Sequence, residues 1–138
     1  MTRLQDESTT FKYIFYTVIE SLLKHPAIDV NREDNRGLSP LMEASKRGQN
    51  KIVEALLFHR NMKVNKATWD DGNTALIYAI MGFMEFCHND WCHISYLDVV
   101  RLLLRCPDTD VFHRNKNFET AYQIANNRVN NQKGWACS

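Results

Sequence analysis

The sequence has no excess of either charge. Its 138 residues contain 17 Lys and Arg against 16 Asp and Glu, which gives a formal net charge of +1. The basic residues are scattered among the acidic ones and form no local run. Because nucleic-acid-binding domains usually present a basic face to the phosphate backbone, this balance argues against nucleic acid as the main partner.

Long apolar runs are also absent. The nearest candidate, Thr74–Met84, is shorter than the roughly 18 apolar residues of a membrane-spanning helix, and it indicates a buried helix instead. The first ten residues are polar and lack the regions of a secretory signal, and neither end carries a lipidation motif. We therefore expect an intracellular, cytoplasmic protein with no membrane partner, and leave entry into the nucleus open.

Motifs for cofactors and catalysis are missing as well. There is no Gly-rich phosphate loop of the GxxxxGK or GxGxxG type, and nothing resembles a pair of catalytic carboxylates. The chain is long enough to build a core without disulfides, so its four cysteines are expected to be thiols or metal ligands in a reducing compartment. We predict no cofactor and no enzymatic activity.

An internal repeat is the most informative pattern that is present. Three segments align without gaps: Val18–Asn31 (VIESLLKHPAIDVN), Ile52–Asn65 (IVEALLFHRNMKVN) and Val99–Phe112 (VVRLLLRCPDTDVF). Each begins with four apolar residues at positions i, i+1, i+4 and i+5, which form one stripe on a helix. The second copy starts 34 residues after the first, and the third starts 47 residues after the second.

A second helix is predicted between consecutive copies and again after the last one. In the first such segment, Ser39 is a candidate N-cap, Pro40 suits the first helical position and Gly48 suits the C-terminus. Thr74 and Thr120 are the corresponding caps in the other two segments. One such pair of helices cannot bury its apolar stripe alone, so the units are expected to stack.

These residues resemble the ankyrin repeat. The family pattern runs Asp-x-x-Gly-x-Thr-Pro-Leu, a small Ala-rich first helix, a Gly turn and an Ile-Val-x-x-Leu-Leu second helix, and Asp34–Leu57 (DNRGLSPLMEASKRGQNKIVEALL) fits it nearly throughout. The resemblance covers about residues 15 to 128. It implies an all-α helical solenoid of about two full repeats with partial repeats at both ends.

The resemblance also divides the chain. The predicted parts are an N-terminal segment or cap (1–14), a half repeat (15–33), a full repeat (34–68), a repeat with an insertion around 83–96 (69–114), a partial repeat (115–128) and a C-terminal tail (129–138).

The chain departs from the family pattern in its hairpins and at its ends. Trp69 stands where the hairpin Asp is expected, and Asn115 and Phe118 replace the Asp and Gly of the last hairpin. The ends must cap the stack or meet another molecule, so end-to-end self-association is conceivable. The residues expected to cover the ends are Phe11, Tyr13, Phe15 and Tyr16 at one end and Trp135 at the other.

An insertion of 12 residues separates the helices of the second full repeat, and it contains the stretch Phe86–His93 (FCHNDWCH). Insertions in repeat arrays map to one face and are often functional. The favoured interpretation is a helical extension or an ordered loop, packed by Phe83, Phe86, Trp91 and Tyr96, that offers a contact surface to a partner.

Two chemical alternatives for this insertion remain open. Zinc would use Cys87, His88, Cys92 and His93, although adjacent ligands point apart and only His88 and Cys92 share a helical face. A Cys–His nucleophile would need an oxyanion hole and a cleft, and neither is evident.

The resemblance implies protein–protein recognition through hairpin tips and the concave face of the first helices, with a partner whose identity the sequence does not reveal. Carried over position by position, the contact residues are Glu33, Asn35, Arg36, Leu38, Lys46 and Arg47 in the first full repeat; Trp69, Asp70, Asp71, Asn73, Met81 and Gly82 in the second, with Trp91 in its insertion; and Lys116, Asn117, Glu119, Asn127 and Arg128 in the last.

Overall fold

The computed structural model describes residues 2–87 and 90–136, with side chains over residues 10–87 and 92–131. The part of the chain so described is all-helical, as predicted. Its six helices are α1 (Thr2–Leu23), α2 (Pro40–Lys46), α3 (Asn50–Leu57), α4 (Ala75–Phe86), α5 (Asp90–Arg105) and α6 (Ala121–Ala136).

The helices stack as two layers. One layer contains the first helices of the repeats, where α2 contacts α4 and α4 contacts α6. The other contains the second helices, where α1 contacts α3 and α3 contacts α5. Pairing of α2 with α3 and of α4 with α5 gives two full repeats, while α1 is a second helix and α6 a first helix without such a pair among the described residues.

The core lies between the layers and uses the predicted apolar stripes unevenly. Val53, Val99 and Leu103 are fully buried, and each buried side chain of this size stabilises the fold by about 1.5–3 kcal/mol. In the N-terminal copy, by contrast, Val18 and Leu22 are about half exposed. The stripe therefore becomes core only where a neighbouring helix covers it.

Two of the three predicted N-caps form. The Ser39 hydroxyl accepts a hydrogen bond from the Met42 amide at 3.4 Å, and the Thr120 hydroxyl accepts one from the Gln123 amide at 3.2 Å. Thr74 also stands at the N-cap of α4, as predicted, but its side chain makes no capping hydrogen bond.

The hairpins before α2 and α6 share one hydrogen-bonding scheme. The Asp34 carboxylate accepts from the Leu38 amide at 3.0 Å, and the Asn115 side-chain oxygen accepts from the Glu119 amide at the same distance. Asn115 thus replaces the family's Asp without loss of the turn. In the hairpin before α4 this role falls to Thr68, whose hydroxyl accepts from the Asn73 amide at 3.2 Å.

Phe118 adopts the left-handed backbone conformation that glycine has in the other two hairpins. Its φ is 63°, against 83° for Gly37 and 70° for Gly72. The tight turn is therefore kept in the last hairpin, at a conformation that costs a non-glycine residue about 1–2 kcal/mol.

The insertion lengthens both helices of the second full repeat. Aligned with α2 and α3, helix α4 continues five residues further and α5 begins seven residues earlier. Of the two forms that were predicted for the insertion, a helical extension or an ordered loop, the described residues show the helical extension.

Two expectations for the ends need correction. Segment 129–136 continues α6 without interruption, so it is helix and not a separate tail. At the other end, Phe11, Tyr13 and Phe15 are at least half exposed and form no closed cover, whereas Tyr16 is partly buried. The side chain of Trp135 lies outside the described residues.

Candidate functional site

The hairpin tips and the first helices form one continuous surface, because the hairpins are joined to one another. The Asn115 side-chain amide donates to the Asn73 side-chain oxygen at 3.0 Å, and the Lys116 amide donates to the Asp71 carbonyl at 2.9 Å. Between the first two hairpins, Lys66 forms a 2.5 Å ion pair with Glu33. These links tie the neighbouring hairpins to one another.

A groove of about 290 Å³ opens between the last two hairpins and the first-helix layer. Its walls combine apolar and polar groups, with Met81, Met84 and Ile124 among the carboxylates and amides. The structure brings seven of the residues predicted from the resemblance to this groove: Asp71, Asn73, Met81, Asn117, Glu119, Asn127 and Arg128.

Trp69 is both exposed and packed. Its side chain is 59% exposed, yet one edge of the indole lies over Gly37, where an added Cβ would be 2.3 Å from the indole nitrogen. The Lys116 ammonium donates to the Trp69 carbonyl and holds the tip from the other side. The ring therefore offers an anchored aromatic surface at the tip of the second hairpin.

The Asp70 carboxylate at the second tip is ionised at neutral pH. A hydrogen bond from the Asp71 amide lowers the pKa of Asp70 below its usual value, and Arg36 of the neighbouring hairpin adds a smaller effect in the same direction. The second tip therefore presents negative charge beside the indole of Trp69.

Three predicted contact residues, Leu38, Asn73 and Gly82, are buried and serve the fold. Leu38 is 8% exposed and belongs to the core, and Asn73 is 2% exposed. The Asn73 amide group donates to the Met81 sulfur at 3.5 Å, and its oxygen accepts from Asn115. These three residues shape the surface from beneath and do not present a side chain to a partner.

The remaining predicted residues lie on the first tip and along α2. Glu33, Asn35 and Arg36 belong to the exposed first hairpin. On α2, Glu43 pairs with Arg47 at 2.5 Å, which raises the pKa of Arg47. Glu43, Lys46 and Arg47 line a second depression of about 360 Å³, together with Phe86 and Tyr96.

Tyr96 fastens the helical extension to the first full repeat. It is 2% exposed, and its hydroxyl donates to the Lys46 carbonyl at 2.7 Å. Its ring lies against Gly48 and Gly82, since a Cβ at either glycine would be 2.9 Å from it. The sequence predicts a packing role for Tyr96 but not this anchoring role, which those two glycines could have signalled.

The cysteines and histidines of the extension do not form a metal centre in the part of the chain that is described. No group of three or more His, Cys, Asp or Glu side chains there could hold a metal ion. The Cys92 thiol donates to the Phe86 carbonyl at 3.7 Å. The centroid of the His93 ring lies 5.3 Å from that of the Phe83 ring. His88, a predicted zinc ligand, and the side chain of Trp91, predicted to pack the insertion and contact a partner, lie outside the described residues.

We expect the protein to become less stable at alkaline pH because Tyr96 ionises there. Burial raises its pKa from 10.0 to about 12, so the fold favours the neutral phenol. The resulting stabilisation is complete below pH 10 and is lost as the pH rises to about 12, a change of about 2–3 kcal/mol. Urea unfolding across this range should show the loss in the wild type and a shallower one in Tyr96→Phe.

The exposed Tyr13, 72% exposed on α1, provides the matched control. Tyr13→Phe should lose stability with pH as the wild type does. If the free energy of unfolding fell equally with pH in the wild type and in Tyr96→Phe, Tyr96 would not be the group responsible.

Comparisons with known proteins agree with this architecture. Residues 12–115 match the family model described as "Ankyrin repeats (3 copies)". The chain is 45% identical over 64 residues to the ANK repeat-containing protein nipk-1 of Caenorhabditis elegans, which covers 46% of this chain and 10% of that protein. The chain thus spans a small part of this relative's length.

Among solved structures, the ankyrin repeat protein EF0377 aligns over 83% of this chain and 53% of its own. The TM-score is 0.68 and the sequence identity 25%. Within the described ranges, no helix combines the length and the apolar character needed to cross a membrane.

Proposed function

The chain belongs to the ankyrin-repeat family, and on this premise we propose that it is a non-catalytic module that binds a partner protein through its concave surface. Ankyrin repeats generally mediate protein–protein interactions. The proposal assigns this chain the role of an intracellular adaptor or scaffold that binds neither nucleic acid nor membrane. Its even charge balance and its lack of a catalytic motif support that role.

The observation that carries the proposal is the groove between the last two hairpins. Residues distant in sequence converge there from two tips and two first helices, and seven of them are contact positions that the resemblance to the family implies. Met81 and Met84 supply adaptable apolar area, while Asp71 and Asn117 supply polar groups at the rim. An exposed peptide segment of a partner could be held by both kinds of contact.

Rigidity explains how a small surface could bind well. The hairpins are joined by side-chain and backbone hydrogen bonds, so little conformational entropy would be lost when a partner docks. The anchored indole of Trp69 adds an aromatic side chain of the type that dominates binding energy at interfaces. A specific complex should bury more than about 1,000 Å² in total, which requires the tips and the groove together.

Site-specific photo-crosslinking in cell lysate tests the proposal. A photoreactive amino acid at the exposed Asn117 should crosslink a discrete partner protein, and one at Trp69 should crosslink the same partner. The matched control places the group at Lys51, which is exposed on α3 in the second-helix layer. A partner crosslinked from Lys51 and from neither of the other positions would contradict the proposal.

A further inference from the structure

We propose that the groove between the last two hairpins selects an extended peptide segment with a basic side chain at one end, an apolar one in the middle and an acidic one at the other end. The inference deepens the proposed function and rests on it, because it names the chemistry of the partner segment that this groove would hold. What selects the segment is the order of charge and apolar surface along the groove.

The hairpin end of the groove is negatively charged. Asp71 lines it from the second hairpin and Glu119 from the last one. Lys116, on the last tip, does not line the groove, since its ammonium donates to the Trp69 carbonyl. In the part of the chain that the structure describes, neither carboxylate takes part in an ion pair. A basic side chain of a partner would therefore meet carboxylates whose charge no salt bridge offsets.

The opposite end of the groove is positively charged. Arg128 lines it from α6, seven residues or about 10 Å beyond the first residue of that helix. Arg128 is exposed and, like the two carboxylates, takes part in no ion pair with another described residue. Among the described residues that line the groove, it is the only basic one. An acidic side chain of a partner is favoured at this end.

Apolar side chains separate the two charged ends. Ile124 lies about one turn into α6, between Glu119 and Arg128 in the chain. Met81 reaches back from α4 towards the hairpins, where the Asn73 amide group donates to its sulfur at 3.5 Å. An apolar side chain of the partner would remove these groups from water, and the flexible thioether of Met81 adapts to its shape.

The length of the groove and its amides favour an extended segment over a helix. In an extended segment, side chains i, i+2 and i+4 point to one side, and the first and last are about 13 Å apart. This separation suits the span from Glu119, two residues before α6, to Arg128. Asn117, Asn127 and Asn131 offer amide groups to the open N–H and C=O groups of such a segment, whereas a helix bonds its own.

Three synthetic peptides with capped termini test this pattern. The sequence Gly-Arg-Ser-Leu-Ser-Glu-Gly carries the proposed order, and two relatives replace Glu by Arg or Arg by Glu, which leaves like charges at both ends. In NMR titrations of isotope-labelled protein, the first peptide should bind the wild type at least about tenfold tighter than either relative. Replacing its Leu by Ser should weaken binding by a similar factor.

Charge reversal in the protein should change which peptide binds best. Asp71→Arg with Glu119→Arg makes both ends of the groove positive, so this chain should prefer the peptide with two Glu. Arg128→Glu makes both ends negative, so this chain should prefer the peptide with two Arg. The comparison of peptides on the wild type needs no variant, so it tests the proposal even where a variant fails to fold.

Matched controls change the net charge by the same amounts in the second-helix layer. Glu20→Arg with Glu54→Arg matches the first variant, and Lys51→Glu matches the second. Both controls should keep the preference of the wild type. A preference that moves as far in the controls as in the groove variants would overturn the proposal, since net charge alone would then explain it.

The peptides also separate this inference from the proposed function. Equal affinity of the wild type for all three peptides, tighter binding of a like-charged one, or no binding at millimolar concentration would overturn the charge pattern. If a partner is nevertheless crosslinked from Asn117 and Trp69, the proposed function stands and only the charge pattern is rejected. A partner crosslinked from Lys51 alone would reject both.

Discussion

Gly82→Ala should destabilise the protein by about 3 kcal/mol, although alanine normally stabilises an exposed helix relative to glycine by about 1 kcal/mol. Gly82 lies in α4, buried against α2. A Cβ there would lie 2.0 Å from the Lys46 carbonyl oxygen and 2.9 Å from its carbon. Because the obstructing atoms belong to the backbone, α2 and α4 would have to move apart.

Urea unfolding followed by circular dichroism measures this effect. Asn130→Ala, at an exposed position of α6, is the matched control and should be neutral or slightly stabilising. A Gly82→Ala chain as stable as the wild type would mean that α2 and α4 do not make this close contact.

Tyr96→Ala should cost about 3–5 kcal/mol, because it removes a buried aromatic ring and leaves a cavity. The change also removes the hydroxyl that donates to the Lys46 carbonyl. It removes as well the aromatic ring whose centroid lies 6.2 Å from that of the Phe83 ring. The extension would keep only lesser ties to the first full repeat, such as the bond from the Ser95 hydroxyl to the Gly48 carbonyl, so hydrogen exchange should accelerate in residues 83–96 more than in α2.

Tyr96→Phe separates the contribution of the buried ring from that of the hydrogen bond made by the hydroxyl. It keeps the ring and removes only the hydrogen bond, so it should cost about 1–3 kcal/mol. A loss as large as that of Tyr96→Ala would place the stabilisation in the hydroxyl, and no loss in either variant would contradict the anchoring role of this residue.

Gly82 and Tyr96 touch, so their effects should not add. The clash of an alanine at position 82 is mainly with Lys46, and Tyr96→Ala should therefore rescue little of it. Full rescue in the double variant would show that the tyrosine ring is the obstacle.

The repeat architecture was predictable because it rests on local patterns that recur. The spacing of Ile52 and Val53 and of Val99 and Val100 indicated second helices, and the caps at Ser39 and Thr120 marked first helices. Stacking followed from the inability of one helix pair to bury its stripe. The position of the insertion followed from the alignment alone.

The features that the sequence did not reveal depend on distant contacts. The sequence predicts that Asn73 is exposed, and only its bonds to Asn115 and Met81 explain why it is buried. Thr68 gave no signal that it would replace the hairpin Asp, since a hydroxyl can serve many turns. The partner-facing residues that are exposed remain predictions, because a surface shows what it can contact and not what it binds.

The polar end of α6 shows how composition can mislead. The stretch Asn126–Lys133 is polar, and residues 129–138 were predicted to be a tail, yet the helix continues to Ala136. Asn is a weak helix former, but the cap at Thr120 and packing of Ile124 against the core fix the start of the helix.

The most direct test of the account is the affinity of the crosslinked partner for groove and control variants, measured by isothermal titration calorimetry. Asp71→Arg and Asn117→Arg change exposed side chains at the rim of the groove, whereas Lys51→Glu changes an exposed side chain on α3. Recognition by the concave surface predicts at least about tenfold weaker binding for each rim variant and wild-type affinity for Lys51→Glu. Unchanged binding by both rim variants, with loss in Lys51→Glu, would contradict it.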